Sequence, residues 1–258
     1  MVWSILLNFL TQAGYTIGAI FLCGFLIALF NRGFYSNFGS FGGPLCYITG
    51  FIGTPVHECS HALFCLIFGH QITDMQLFQI SSDDGTLGYV EHAYNRRNIY
   101  HRIGNFFIGV APILVISVLL YFLSSWLTPG MVSRLMVTDF SDGFFAGVGN
   151  MFSTLGIYAG TWQFWVYVVL AIFLSLHMTL SGADIRGSLD GLAFLLMPLL
   201  IVDVILGLVD MKLLTRFTDK VKDLASFFLP FLAFGVIVTA LVWLVSFILS
   251  RVFKLHRI

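Results

Sequence analysis

Two histidines and a glutamate in the first quarter of the chain have the spacing of a zinc-hydrolase site. The run reads His57-Glu58-Cys59-Ser60-His61. In an α-helix, residues four apart project from one face, so His57 and His61 can each offer an imidazole nitrogen to a single zinc ion. Zinc lowers the pKa of a bound water, and Glu58 is placed to accept the proton of that water. The pattern predicts zinc as a cofactor and Glu58 as a general base.

The elements that carry this motif belong to a very apolar chain. Of its 258 residues, 58% are hydrophobic and only 10% are charged, and the mean hydropathy is +0.92. Soluble domains average roughly 25% charged residues, so the composition indicates an integral membrane protein. The formal net charge is zero, which argues against nucleic-acid binding because that function needs a basic surface.

The setting of Glu58 favours function over structure. An ionisable side chain inside an apolar membrane helix costs roughly 2.5–3.5 kcal/mol or more. A purely structural glutamate would have to recover that free energy from buried partners. A catalytic role for Glu58 is therefore the better interpretation.

Six apolar segments are long enough to be membrane helices, since a span needs about 20 mostly apolar residues. They cover residues 5–30, 44–68, 103–127, 164–180, 192–209 and 227–253. The second segment contains the motif. We expect an all-α polytopic membrane protein forming one membrane-embedded domain over residues 1–258, with a catalytic core at about 44–210.

A polar loop follows the second segment, and its pattern predicts a small β-hairpin. Residues 75–80 and 86–90 read as strands, and residues 81–85 carry the Ser, Asp and Gly that turns favour. Three histidines in or beside this loop are expected to be solvated: His70, His92 and His101.

Basic residues give a weak indication of orientation. Lys and Arg number seven on one predicted side of the membrane and six on the other, so the count alone does not decide it. Arg96, Arg97 and Arg102 cluster close to a helix end on the hairpin side. We therefore expect a multi-pass protein of the cell membrane with the active site nearer the cytoplasmic face.

Together these motifs resemble the site-2 protease family of intramembrane zinc metalloproteases. The resemblance covers most of residues 44–191 and rests on the His57 to His61 run, Gly69, Gly88-Tyr89-Val90, Gly109-Val110-Ala111-Pro112 and a later aspartate in an apolar segment. It implies that two histidines and a distant aspartate hold zinc below the membrane surface. It also implies hydrolysis of peptide bonds in transmembrane or membrane-proximal substrates, with the hairpin presenting the substrate as an extended strand.

The third zinc ligand has two candidates. Asp190 stands in the Asp190-Gly191 pair that resembles the family's Asp-Gly motif, but the Asn-Pro-type segment that precedes this motif in the family is missing. If the fourth helix continues, His177 and Asp184 are seven residues apart and share a face, whereas Asp190 points about 240° away from Asp184. We favour Asp184, with Asp190 as the alternate and another group left open.

Substrate contacts and partners follow from the same interpretation. His177 is a candidate for binding a substrate carbonyl, and Leu77, Phe78 and Gln79 of the hairpin are candidates for pairing with substrate. The expected partners are a membrane protein or membrane peptide as substrate, the lipid bilayer, and a membrane protein that recruits substrate.

Two other functions compete with proteolysis. One is a catalytically inactive relative that serves as a membrane scaffold or binding protein. The other is an ion carrier with a polar path through Asp203, Asp184 and His177. Cleavage that depends on Glu58 separates proteolysis from both.

Overall fold

The computed structural model describes residues 1–80, 85–136, 141 and 144–253, which form long helices and one two-stranded antiparallel sheet. In chain order the elements are α1 (Val2–Ala13), a π-helical turn (Gly14–Gly18), α2 (Ala19–Asn37), a 3-10 turn (Gly39–Phe41), α3 (Gly42–Ile67), β1 (Gln71–Gln76), β2 (Tyr89–Ala93), α4 (Ile99–Leu127), α5 (Met131–Met136), α6 (Phe144–Ala159), α7 (Trp162–Leu176), α8 (Gly182–Val209) and α9 (Met211–Val252). The predicted fold class, all-α with a small hairpin, is confirmed.

Several helices are long and apolar enough to cross a membrane. Within the described residues there are four: the continuous run Val2–Asn37 and the helices α4, α8 and α9. A fifth exists if Gly149–Ala159 and Trp162–Leu176, bent by 112°, count as one broken span. The remaining predicted segment is α3, an unbroken 26-residue helix that is outside this set. Its middle carries the polar residues of the motif.

The boundary between the fourth and fifth predicted segments is corrected by the structure. Helix α7 ends at Leu176, where the Asn31 side-chain amide donates to the carbonyls of Ser175 and Leu176 at 2.9 and 3.2 Å. Helix α8 then begins at Gly182, ten residues earlier than predicted, because Ser181 caps its first turn. The earlier start brings Asp184 into α8.

The basic stretch at residues 212–222 is helical and continues into the last apolar segment as α9. The Asp210 side chain begins this 42-residue helix by accepting from the Lys212 amide at 2.8 Å.

Helix α4 lies at the centre of the packing. Its buried face contacts α3, α7, α8 and α9. Two glycines allow α4 and α8 to approach closely: a Cβ on Gly109 would collide with the Asp184 carbonyl and Ser188, and one on Gly191 would collide with the backbone of Phe106. This crossing holds the first turns of α8 against the middle of α4.

The predicted hairpin is present, but its strands are Gln71–Gln76 and Tyr89–Ala93 rather than residues 75–80 and 86–90. Gln71 pairs with Ala93 and Gln76 with Tyr89, with an irregularity between Ile72 and Asp74. Residues 77–80 and 85–88 are therefore not strand, and the predicted turn at 81–84 lies outside the described residues. Phe78 and Leu87 instead pack towards Gly50 of α3. Packing of these two side chains on α3 takes the place of most of the strand pairing predicted for residues 75–80 and 86–90.

An apolar cavity of about 760 Å³ lies between the π-helical turn, α3, α4, α8 and α9. Its lining contains no residue with a formal charge and none of the motif residues. Leu63 of α3 and Phe106 of α4 line this cavity. Each is two residues away from a member of the hydrogen-bonded pair His61 and Ile108. The space suits hydrocarbon rather than polar ligands.

Candidate metal centre

The two motif histidines present nitrogens to each other from one face of α3. The Nε2 atoms of His57 and His61 lie 3.1 Å apart. Zinc–nitrogen bonds of 2.0–2.1 Å in a tetrahedral site place two ligand nitrogens about 3.3 Å apart. The observed separation suits two imidazoles on one ion.

The opposite nitrogen of each ring is held by a backbone carbonyl. His57 Nδ1 lies 2.7 Å from the carbonyl oxygen of His177, and His61 Nδ1 lies 2.7 Å from that of Ile108. A carbonyl can only accept, so each Nδ1 carries hydrogen and each Nε2 of the neutral rings keeps a lone pair. A second hydrogen bond of this kind orients histidine ligands in metal sites.

Asp184 completes the group from the first turn of α8. Its Oδ1 lies 3.2 Å from His61 Nε2 and its Oδ2 lies 3.8 Å from His57 Nε2. One ligand atom from each of the three residues fits within 4.8 Å, and theirs is the sole such group of three or more among the described residues. Two neutral imidazoles and a carboxylate, with one position left for water, are a donor set that catalytic zinc uses.

A capping box fixes the Asp184 carboxylate. Its Oδ2 accepts from the Ser181 amide at 2.7 Å, while the Ser181 hydroxyl accepts from the Asp184 amide at 3.1 Å. The Ser181-Gly182-Ala183-Asp184 run is a capping-box sequence, so this signal was present in the chain. The helix predicted to continue from His177 to Asp184 is wrong, because residues 178–181 are not helical.

Asp190 is engaged elsewhere. Its carboxylate accepts from Arg102 at 3.1 Å, Asn105 at 2.9 Å and Tyr94 at 3.2 Å. The Arg102 guanidinium also stacks 3.6 Å over the Phe194 ring. Asp190 therefore ties α8 to α4 and to the segment after β2, and it is not a member of the three-residue group.

Glu58 lies beneath the loop that joins the two strands. Its side chain is 6% exposed, and a Cβ on Gly88 would come within 2.9 Å of Glu58 Cγ. Phe78, one of the predicted substrate contacts, packs edge-on against Phe51 of α3 with ring centroids 5.9 Å apart. The backbone amide of Gln79 donates to the Leu87 carbonyl at 2.7 Å, and Leu77 is exposed. The loop covers the helix face that carries Glu58, the predicted general base.

The backbone carbonyl of His177 bonds to His57, and its ring bonds to two threonines of α3. The ring nitrogens lie 3.0 Å from the Thr49 hydroxyl and 3.3 Å from the Thr54 hydroxyl. Gly53, between these threonines, allows the approach because a Cβ there would collide with the His177 ring and the Phe173 carbonyl. Sequence reasoning missed this role for Thr49, Gly53 and Thr54, since nothing in their types or spacing marks them. Substrate binding by His177 stays a prediction.

Asp203 belongs to a different buried group. It accepts from Gln12 at 2.9 Å, and Gln12 also donates to Thr218 at 2.8 Å. These contacts join α1, α8 and α9, whereas Asp184 faces α3. The two aspartates of the predicted polar path thus have separate partners.

Comparison with known proteins gives one match. Residues 50–155 match a family model described as "Putative zincin peptidase". The matched stretch contains His57, Glu58 and His61 and ends before Asp184. The match supports a zinc metallopeptidase family and implies zinc as the cofactor. Searches of curated proteins and of solved structures found no match.

Proposed function

We propose that this protein is an intramembrane zinc metalloprotease of the site-2 protease type, with zinc held by His57, His61 and Asp184 and with Glu58 as general base. One observation carries the proposal: ligand atoms from α3 and α8 converge within 4.8 Å while the other nitrogen of each histidine bonds to a carbonyl. The family match on residues 50–155 supports the zinc peptidase part.

The chemistry divides between the metal and the side chains. Bound zinc lowers the pKa of a coordinated water and polarises the substrate carbonyl. Glu58 follows His57 directly on α3 and lies beneath Gly88, so its carboxylate faces the space between the helix and the loop. It takes a proton from the attacking water and returns one to the leaving amine nitrogen as the peptide bond breaks.

The surroundings of the site support a membrane-embedded substrate. The three ligand side chains are only 7–14% exposed, and α3 packs against α4, a helix apolar enough to span a membrane. A substrate helix must unwind before cleavage, because its peptide groups are otherwise hydrogen-bonded internally. The hairpin offers a strand edge for the unwound segment, through β-augmentation.

We also propose where in the membrane the protein lies and which partners it has. Four or five spans favour a multi-pass protein, and the arginines that follow β2 favour a cytoplasmic position for the hairpin and the metal site. A separate membrane protein that recruits substrate is part of the proposal, as is a peptide or protein substrate within the bilayer.

The decisive test compares wild-type protein with Glu58→Gln, which keeps the side-chain shape and removes the base. Both are expressed at equal levels in cells, and new N-termini in the membrane fraction are mapped by mass spectrometry. We expect cleavages specific to the wild type, with the Glu58→Gln rate lower by about 10²–10⁴-fold, the range for a general base. Zinc content should be the same in both proteins.

An identical set of N-termini in the two samples, with both proteins folded and zinc-loaded, would overturn the proposal in favour of a scaffold. Zinc content alone does not separate these functions, because a scaffold can also retain the metal.

A further inference from the structure

A second group of histidines lies outside the proposed active site, where α3 ends and the hairpin begins. His70 follows Gly69, whose φ of +70° ends the helix, and the His70 amide donates to the Cys65 carbonyl at 2.8 Å. His92 is on β2 and His101 is in the first turn of α4. Solvated loop histidines are the expectation from the sequence, yet His70 is only 4% exposed.

Two of these histidines face each other through nitrogens. The Nδ1 atoms of His70 and His92 lie 3.0 Å apart. His70 Nε2 lies 2.8 Å from the carbonyl oxygen of His101. Since the carbonyl can only accept, Nε2 carries the hydrogen, and the neutral His70 ring directs a lone pair from Nδ1 towards His92.

This arrangement resembles the one at the motif in part. At the motif too, two imidazole nitrogens face each other, at 3.1 Å; there the remote nitrogen of both rings bonds to a backbone carbonyl, and in the second pair that of His70 does. Two nitrogens on a tetrahedral zinc ion are about 3.3 Å apart. Both pairs are therefore close to the spacing that a shared ion requires.

We propose that His70 Nδ1 and His92 Nδ1 bind a second zinc ion, with water molecules as the remaining ligands. His92 is only half-buried, so its side of the pair is open to water. The ion would join β2 to the segment that directly follows α3. It would thereby stiffen the hairpin relative to the helix that carries His57, Glu58 and His61.

Protonation does not oppose binding at neutral pH. Burial lowers the pKa of His70 and of His92 from the ordinary histidine value, so both rings are neutral. Without the ion, His92 Nδ1–H donates to His70 Nδ1. With the ion, the His92 hydrogen resides on Nε2 instead, and no net proton is gained or lost.

The test measures this site in a protein that lacks the motif histidines. The full chain carrying His57→Ala and His61→Ala, in detergent and freed of any affinity tag, is titrated with zinc against a chromogenic chelator. We expect about one zinc per chain, bound more weakly than at a three-ligand site. Adding His92→Phe, which keeps an aromatic ring against His70 and removes its nitrogens, should abolish this zinc.

His101→Gln in the same background is the matched control. His101 belongs to the same cluster, but only its backbone carbonyl contacts the pair, by accepting from His70 Nε2. Its ring Nδ1 accepts from the Asn95 amide at 3.3 Å. This variant should keep the zinc. His92→Gln should lose it, as His92→Phe does, which separates ligand loss from an effect of ring size.

Three outcomes would overturn the inference. Absence of zinc in the His57→Ala, His61→Ala protein would mean that the pair is a plain hydrogen bond. Zinc that survives both His92 substitutions, or that His101→Gln removes equally, would place the ion elsewhere. Because the readout is zinc in a protein without the motif pair, its failure is distinguishable from failure of the proposed protease function.

Discussion

The junction between α7 and α8 and the hairpin between β1 and β2 both contact α3, but they are held in different ways. The junction is held by hydrogen bonds. His57 Nδ1 donates to the His177 carbonyl, the hydroxyls of Thr49 and Thr54 bond to the His177 ring, and Ser181 forms the capping box with Asp184. The hairpin meets α3 through the packing of Phe78 and Leu87 and the close approach of Gly88. On the proposed function, the junction is suited to positioning a metal ligand and the hairpin to adapting to a substrate.

The largest expected effect separates the two aspartates of α8. Asp184→Asn should lower the zinc content by about one equivalent per chain, because it removes the anionic ligand 3.2 Å from His61 Nε2. Asp190→Asn is the matched control on the same helix and should retain zinc, since Asp190 bonds to Arg102, Asn105 and Tyr94. Metal analysis of the purified variants is the measurement. Zinc loss confined to Asp190→Asn would reverse the assignment.

The junction can be disturbed without touching a ligand. Gly53→Ala places a Cβ against the His177 ring and the Phe173 carbonyl. Because His177 O holds His57, zinc affinity should fall by roughly 10–100-fold, the range for outer-shell changes. Chelator competition would measure it.

Gly43→Ala is the control for this variant, because the same substitution near the start of α3 meets nothing within 4 Å. Equal zinc affinity in the two variants, with both proteins folded, would show that the junction does not orient His57.

The hairpin should affect catalysis rather than metal binding. Gly88→Ala brings a Cβ to 2.9 Å from Glu58 Cγ and 2.8 Å from Thr54 Cγ2, so either the loop or the Glu58 side chain must shift. We expect cleavage to fall roughly 10-fold with zinc retained, since small displacements of a catalytic group are costly. Gly187→Ala, which meets nothing within 4 Å, should leave both unchanged. Loss of zinc in Gly88→Ala would contradict the division between the two regions.

The smallest effect tests the substrate edge of β1. The Met75 amide donates to the Asp74 side chain at 2.8 Å, a contact that favours its lying on the outer edge of the strand. Met75→Pro removes one donor that a substrate strand would use, worth about 0.5–1.5 kcal/mol, or roughly 2–10-fold in cleavage. Met75→Ala controls for the side chain. Equal cleavage in the two variants would remove this edge from the substrate site.

The sequence determined the apolar, helical class of the protein and the presence of a zinc motif on one helix. Both follow from local patterns: composition over long windows, and the i, i+4 spacing of His57 and His61. Asp184 and Asp190 do share one helix, but it is α8 and not the predicted continuation of the fourth segment, which ends at Leu176.

The strand positions and the end of α7 were decided by tertiary structure. Hairpin residues 77–80 have a strand-like pattern, but packing of Phe78 towards Gly50 draws this segment onto α3. The end of α7 depends on Asn31, which is more than 140 positions away in the chain. No window of sequence contains both partners of such a contact.

The same reason explains the arrangement of the metal centre. The carbonyl of His177 reaches His57 because Gly53 lets α3 approach the end of α7 closely, and Gly109 lets α4, which supplies the Ile108 carbonyl to His61, approach the first turns of α8. Every residue has a backbone carbonyl, so no sequence motif predicts which carbonyls bond to these histidines. Residue types and spacing determined which side chains can hold zinc, and close helix packing decided which aspartate they meet.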